Sequence, residues 1–322
     1  MTLTLDDLFA SPDHYLHSFD GDEALFMPMD RAAYHRSIFL DDRISPAADQ
    51  SMKLPVAALI RESRTPAPTG WIFHVAHCGS TLLARALDDP EASLVLREPR
   101  ALRQTAFNPD AKRLALVTAM IGKRYRADAP TLVKANVPVN FLLPQLAETD
   151  PEARAIMLYL PLRGYLLAIL RNDNHRTWLR NVTSQLAPYL GDLSQLSDAE
   201  LAAALWLAQV DGFTKALGRM PHARTLDAET FFAEPSMVLK AATRHFGIPI
   251  SDAIVDTTVA GPLFATYSKN PSLPFDNAAR IARRAEVEQA IAAELDVAEA
   301  WVARHAASPS PEAALVESAL IR

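Results

Sequence analysis

Cysteine, surplus positive charge and long apolar runs are all scarce in this chain of 322 residues. Acidic residues outnumber basic ones 38 to 32, so no overall positive field recruits nucleic acid or an anionic membrane surface. A single cysteine, Cys78, excludes an internal disulfide and a thiolate zinc cluster, and it suits a reducing cytosol. No apolar run approaches the ~20 residues of a membrane span. The acidic start MTLTLDDLFASPD lacks the basic region of a signal peptide. Internal repeats and low-complexity tracts are also missing. With 49% hydrophobic and 22% charged residues the composition excludes a disordered chain. The expectation is a soluble, cytoplasmic protein.

The length allows two domains, or one α/β domain with appendages. Breakers in TPAPTG (Pro66, Pro68, Gly70) close an acidic, aromatic-rich opening stretch, Phe19 to Arg43, and a loop around Ser45 to Gln50. Beyond them short apolar runs alternate with helical periods. The runs are Trp71 to Ala76, Leu94 to Leu96, Thr131 to Val133, Ala155 to Leu160 and a possible fifth, Ala223 to Leu226. Leu83, Ala86 and Leu87, then Leu201, Leu205, Ala208 and Phe213, mark helices between them. Alternating strands and helices predict a three-layer α/β fold with a central parallel sheet covered on both faces. Residues 1–69 form an N-terminal extension, 70–275 the α/β unit and 276–322 a helical C-terminal segment, in which Ser308 to Pro311 interrupts a final short helix.

WIFHVAHCGSTLLARALDD reads as strand, tight loop and helix, with Gly79 at the bend and Ser80 and Thr81 opening the helix. Exposed backbone N–H groups and the helix dipole bind an anion in that geometry. A Walker A loop needs Gly at position 74 and Lys at 80, where this chain has His74 and Ser80, which disfavours ordinary ATP or GTP hydrolysis. By itself, a short buried helix capped by Ser80 accounts for the same residues. His74, His77 and Cys78 do not make a recognisable ligand spacing, so no metal is expected.

The arrangement resembles the 5′-phosphosulfate loop of the P-loop sulfotransferase superfamily, in which a basic residue, a small residue, glycine and two hydroxyl residues precede an apolar helix. Here these are His77, Cys78, Gly79, Ser80 and Thr81. LVLREPRALR supplies a glutamate, Glu98, twenty-one residues after His77, a spacing similar to the tyrosylprotein branch. RTLDAETFFAEPSMVLKAATRHFGIP is similar to the family's late strand, acidic turn and Pro-started helix. The resemblance implies transfer of a sulfuryl group from 3′-phosphoadenosine-5′-phosphosulfate to a small-molecule or peptide acceptor carrying a hydroxyl or amine. It makes Glu98 the candidate general base, Lys134 the cation on the bridging oxygen and His77 a catalytic and donor-binding residue. It marks Ser268 and Lys269, with Tyr267, in a nucleotide-clamping segment. Read without the resemblance, Glu98 is a helix-starting carboxylate that can pair with Arg97, Arg100 or Arg103, and Lys134 is a strand-ending surface lysine.

Two departures stand out. His77 replaces a permanent cation, and the family's 3′-phosphate pair, an Arg and a Ser eight residues later, aligns with Leu160 and Ala168. Arg163 is the nearest substitute and Arg171 follows. Two other readings keep the same fold: a phosphotransferase using another nucleotide donor, and a non-catalytic nucleotide- or anion-binding protein. Trp178 and Trp206 read as packing groups, Cys78 as no nucleophile, and the His222 to Arg224 segment, Arg283 and Arg284 as solvated charge.

Overall fold

The computed structural model describes residues 4–307 and 311–321. Its centre is a sheet whose strands are buried almost end to end: β4 (Gly70–His74), β5 (Leu94–Arg97), β6 (Thr131–Lys134), β7 (Ala155–Tyr159) and β8 (Ala223–Asp227). The alternation of a sheet with one wet face is absent, as a parallel sheet covered on both sides requires. All four pairings are parallel and the spatial order is β5-β6-β4-β7-β8. The chain therefore leaves β4 toward one edge and later crosses back toward the other. Right-handed crossovers then place helix Ser80–Ala86 on one face and the helices between β5 and β8 on the other. That reversal makes the carboxyl end of β4 a topological switch point, where open α/β sheets form their ligand crevice.

The expected strand run to Ala76 stops at His74, because the backbone turns left-handed at Ala76 (φ 52°) and His77 (φ 50°). The fifth run is a strand, and it ends at Asp227.

Residues 4–69 carry more structure than their sequence advertised. A helix, Leu5–Ala10, precedes a hairpin of β1 (His14–Asp20) and β2 (Glu23–Pro28) turned at Gly21 (φ 58°), and β3 (Met52–Pro55) adds antiparallel to β2. Gln104 donates to and accepts from the Phe19 backbone at 2.9 and 2.7 Å, and the buried Lys123 amine donates to the carbonyls of Leu8 (3.1 Å) and His14 (2.5 Å). One cluster of buried apolar side chains runs from Leu8 through both layers to Leu315.

Both sheet edges are covered by outlying segments. At β5, Leu40 N–H donates to the Arg97 carbonyl at 2.8 Å and Arg100 N–H to the Leu40 carbonyl at 3.3 Å. At β8, Thr225 bridges Ala319 in parallel, with Thr225 N–H on the Ser318 carbonyl (3.0 Å) and Leu320 N–H on the Thr225 carbonyl (2.8 Å). The C-terminal segment is helical as read, over Asn277–Ala290, Ala292–His305 and Ala313–Glu317. The interruption expected at Ser308 to Pro311 lies, apart from Pro311, outside the described residues. A short hairpin of β9 (Thr266–Tyr267) and β10 (Asn270–Pro274) precedes these helices.

Candidate functional site

Left-handed backbone costs a residue with a Cβ roughly 1–2 kcal/mol. Among the described residues, non-glycine positive φ values occur at Ala76, His77 and Glu98, all at the carboxyl ends of β4 and β5. Strain concentrated at a switch point marks a place where geometry is held for a purpose. Gly79 (φ 83°) completes the turn into helix Ser80–Ala86, and a Cβ there would lie 2.7 Å from the Phe232 ring. Thr81 follows, 1% exposed, with its hydroxyl oxygen unpartnered. Cys78 is fully buried, its Sγ 3.8 Å from the Leu158 carbonyl, and burial pushes the thiol up to about 11, which disfavours the thiolate.

The sheet register delivers the next group. Lys134 lies opposite Arg97 and Ile72, and Glu98 N–H extends the ladder onto the Lys134 carbonyl at 2.8 Å. The left-handed turn at Glu98 swings its carboxylate onto the Lys134 amine in a direct ion pair. Lys134 is fully buried, so it is no surface lysine, while the Glu98 side chain keeps 17% exposure. His74 lies behind them, Nε2 3.1 Å from Lys134 Nζ and Nδ1 accepting from Ala76 N–H at 3.2 Å. Burial, then the charges of Lys134 and Lys269, hold its imidazole well below the usual range.

The arginine partners suggested for Glu98 are engaged elsewhere or stand apart. Arg97 points away, to Asp88 at 2.8 Å and to the carbonyls of Tyr34 and Ser37, and Arg100 pairs with Asp42. Arg103 has no carboxylate partner among the described residues, its guanidinium standing 5.4 Å from the Phe107 ring.

The β9–β10 hairpin brings Ser268 and Lys269 to the loop, where Arg85 donates to the Ser268 carbonyl at 2.9 Å and fixes the turn. Two cavities meet there. The larger opening is walled by Cys78 to Thr81, Phe232, Phe275 and the arginines 171, 280, 283 and 284. The smaller, of about 900 Å³ against about 1340 Å³ for the larger, is walled by Glu98, Arg103, Asn136 and Trp178, among others. His77 and Lys269 line both.

His77 stacks on His175 at 3.8 Å between ring centroids and meets the edge of Trp178 at 5.6 Å. Burial first, then Lys269, His175 and Arg171, push it well below its ordinary value. That favours its neutral form and leaves Lys269 as the lysine that lines both cavities.

Leu160 and Ala168 do face the larger cavity, giving an apolar wall where the resemblance has an Arg and a Ser. Arg163 is not brought there: it pairs with Glu288 at 2.7 Å and Glu299 at 2.6 Å on the outer side. Arg171 is, one helical segment later. The reading of Arg284 as solvated charge is corrected, while Arg283 is exposed as read and also lines the larger cavity. Helix Asn277–Ala290 folds back over the cavity, Arg284 and Arg280 share Glu229, and Arg280 lies 4.3 Å over Phe232. Arg283 and Arg284 each lie about one turn beyond Arg280 on a single helix face, a spacing visible in the sequence, but the fold-back that aims them is a long-range event. Trp178 is a wall of the smaller cavity as well as a packing group, whereas Trp206 is buried with its indole N–H on the Leu160 carbonyl.

No three His, Cys, Asp or Glu side chains converge among the described residues, and none of their helices is long and apolar enough to cross a membrane. No family model matches the chain, and no curated protein does. Among solved structures, a sulfotransferase from Alicyclobacillus acidocaldarius aligns with 77% of this chain and all of its own at 12% identity, with a TM-score of 0.41. A sulfotransferase domain from the curacin biosynthetic pathway aligns with 66% of this chain and 84% of its own at 12% identity and a TM-score of 0.39. Likeness of that degree carries no argument about chemistry, which rests on the residues.

Proposed function

We propose that the protein transfers a sulfuryl group from 3′-phosphoadenosine-5′-phosphosulfate to a hydroxyl or amine. The observation that carries this reading is the division of labour between the cavities. Cys78 to Thr81 of the phosphate-type loop line only the larger, Glu98 only the smaller, and His77 and Lys269 line both. A donor held on the loop would present its terminal group where an acceptor beside Glu98 can reach it. The aromatic wall of Phe232 and Phe275 suits a purine, and the arginines of helix Asn277–Ala290 supply charge for its phosphates.

The acceptor oxygen or nitrogen forms a bond to sulfur while the bond from sulfur to the 5′-phosphate oxygen breaks. The acceptor's proton passes to the Glu98 carboxylate. Adenosine 3′,5′-bisphosphate leaves with the bonding pair, and Lys134 and Lys269 meet the charge that develops on its oxygen. Ser80 in place of the Walker lysine speaks against a nucleotide triphosphate as donor.

Thermal shift tests the reading with adenosine 3′,5′-bisphosphate, adenosine 5′-phosphate, ADP and ATP. The bisphosphate is expected to stabilise most, by about 2.7 kcal/mol at one hundred times its dissociation constant. Preference for ATP would favour a phosphotransferase instead. Bisphosphate binding without transfer to any hydroxyl or amine would favour a binding protein.

A further inference from the structure

The smaller cavity has a charge balance of its own. Arg43 takes both oxygens of Asp41, at 2.8 and 2.5 Å, and Lys134 takes Glu98, so these two pairs neutralise themselves. Two cations on the wall have no carboxylate partner among the described residues, Lys269 and Arg103. Lys269 also faces the larger cavity and stands where the transferred group would lie. Arg103 lines the smaller cavity alone, half-buried, and feels Asp41 only through space. A half-buried guanidinium with no carboxylate hydrogen-bonded to its fork is a poor structural choice and a good recognition group, because that fork matches a carboxylate.

A second, independent observation lies in the same lining. Asn136, 8% exposed, stands on the same wall with its Oδ1 buried and without a hydrogen-bond partner. An unsatisfied buried acceptor is costly and rare in a folded chain unless something fills it. It lies two residues beyond Lys134, at the entry to the turn Val137–Leu142, and so beside the Glu98 pair. The rest of the wall includes Val137, Pro138, Trp178 and Val182, which are apolar.

We infer that the smaller cavity binds a small carboxylate with an apolar body, its acid group on Arg103 and its nucleophilic end seated by Asn136 next to Glu98. The inference rests on the transfer reading and names its acceptor class. Asn136 is a positioning residue: it accepts from an O–H or N–H of the ligand and turns the reacting atom toward the junction. The apolar wall covers the body between the two ends.

The test uses the full chain with adenosine 3′,5′-bisphosphate present and three probes that share one phenol: 4-hydroxyphenylacetate, its neutral amide and tyramine. Calorimetric titration is expected to rank the acid at least tenfold tighter than the amide, with tyramine weakest. Raising the salt concentration should narrow the gap. Arg103→Gln should erase the preference while leaving affinity for the bisphosphate unchanged, and Arg103→Lys should restore part of it. Asn136→Leu should weaken all three probes by a similar factor. Equal binding of the probes, no binding of the acid, or a preference that survives Arg103→Gln would overturn the inference. Failure of adenosine 3′,5′-bisphosphate itself to bind would instead sink the transfer reading, so the two failures are distinct.

Discussion

Arg97 and Glu98 are consecutive in the chain and both end in buried ion pairs, yet they serve opposite ends. Arg97 finishes β5 in extended backbone and is saturated: Asp88 on one side, the carbonyls of Tyr34 and Ser37 on the other, with 1% of its side chain exposed. Asp88 is saturated in turn, by Arg31 at 2.7 Å, His35 at 3.2 Å and Val95 N–H at 3.1 Å. Glu98, one residue later, pays backbone strain to reach a single partner, Lys134, and leaves part of its carboxylate facing a cavity. A pair whose every polar atom is used holds structure together. One with spare capacity at a strained turn is available for chemistry. Burial alone would not have separated them.

Four changes test that contrast. Glu98→Gln should lower single-turnover sulfuryl transfer by about 10² to 10⁴, the usual contribution of a positioned base. Its amide oxygen still accepts from Lys134, so donor affinity should hold. Equal rates in the two proteins would remove Glu98 from the reaction. Arg97→Met reverses the pattern: it strands Asp88 in the interior and should cost about 3–5 kcal/mol in urea unfolding, with donor affinity of the folded fraction unchanged. A loss below 1 kcal/mol would show that Arg31 and His35 suffice.

Acid titration reaches the same pair. Burial by itself would raise the Asp88 carboxyl, but donation from His35 and the charges of Arg97 and Arg31 overturn that and hold it at about 2. Its unfolded value is ~3.9. The native state therefore binds the proton less readily than the unfolded state does. The stabilisation is complete above about pH 4 and disappears as pH falls toward 2, for a loss of about 2–3 kcal/mol from this group. Asp88→Asn should flatten that window in chemical denaturation between pH 2 and 4, and a slope that persists would assign the acid sensitivity elsewhere. The smallest effect belongs to Lys269→Met, which removes an unpaired cation from the junction. Bisphosphate affinity should fall about tenfold, the low end of a charge-assisted hydrogen bond, without a change in stability.

What the sequence disclosed follows the range of the forces involved. The strands of the central sheet announce themselves as short apolar runs because burial on both faces leaves no room for polar residues. The loop, Glu98, Lys134, Ser268 and Lys269 could be named because each sits at a strand end or a turn; Ser268 and the loop line the larger cavity, Glu98 the smaller, Lys269 both, and Lys134 stands behind Glu98 as its buried partner. The partner of Glu98 could not be told from among its arginine neighbours, since register between β5 and β6, not nearness in the chain, decides it. The hairpin of β1 and β2 carries a sequence signal, Asp20-Gly21-Asp22 between apolar runs, which is weaker than the central α/β pattern. Asn136 and Arg103 are ordinary residues in the sequence. Only what fails to touch them makes them conspicuous.

The covered edges of the central sheet bear on how the protein behaves in company. Residues 70–275 contain every strand of that sheet, but the backbone caps on its two outer strands come from outside them: Leu40 against β5 and residues 318–320 against β8. An apolar strand with free N–H and C=O groups is a template for a neighbouring chain. A fragment trimmed to the α/β unit would thus keep its loop and its charged pair and still present two adhesive margins, prone to pair with copies of itself. In this protein the flanking segments act as selvages that keep both margins of the central sheet from the reach of a neighbouring strand.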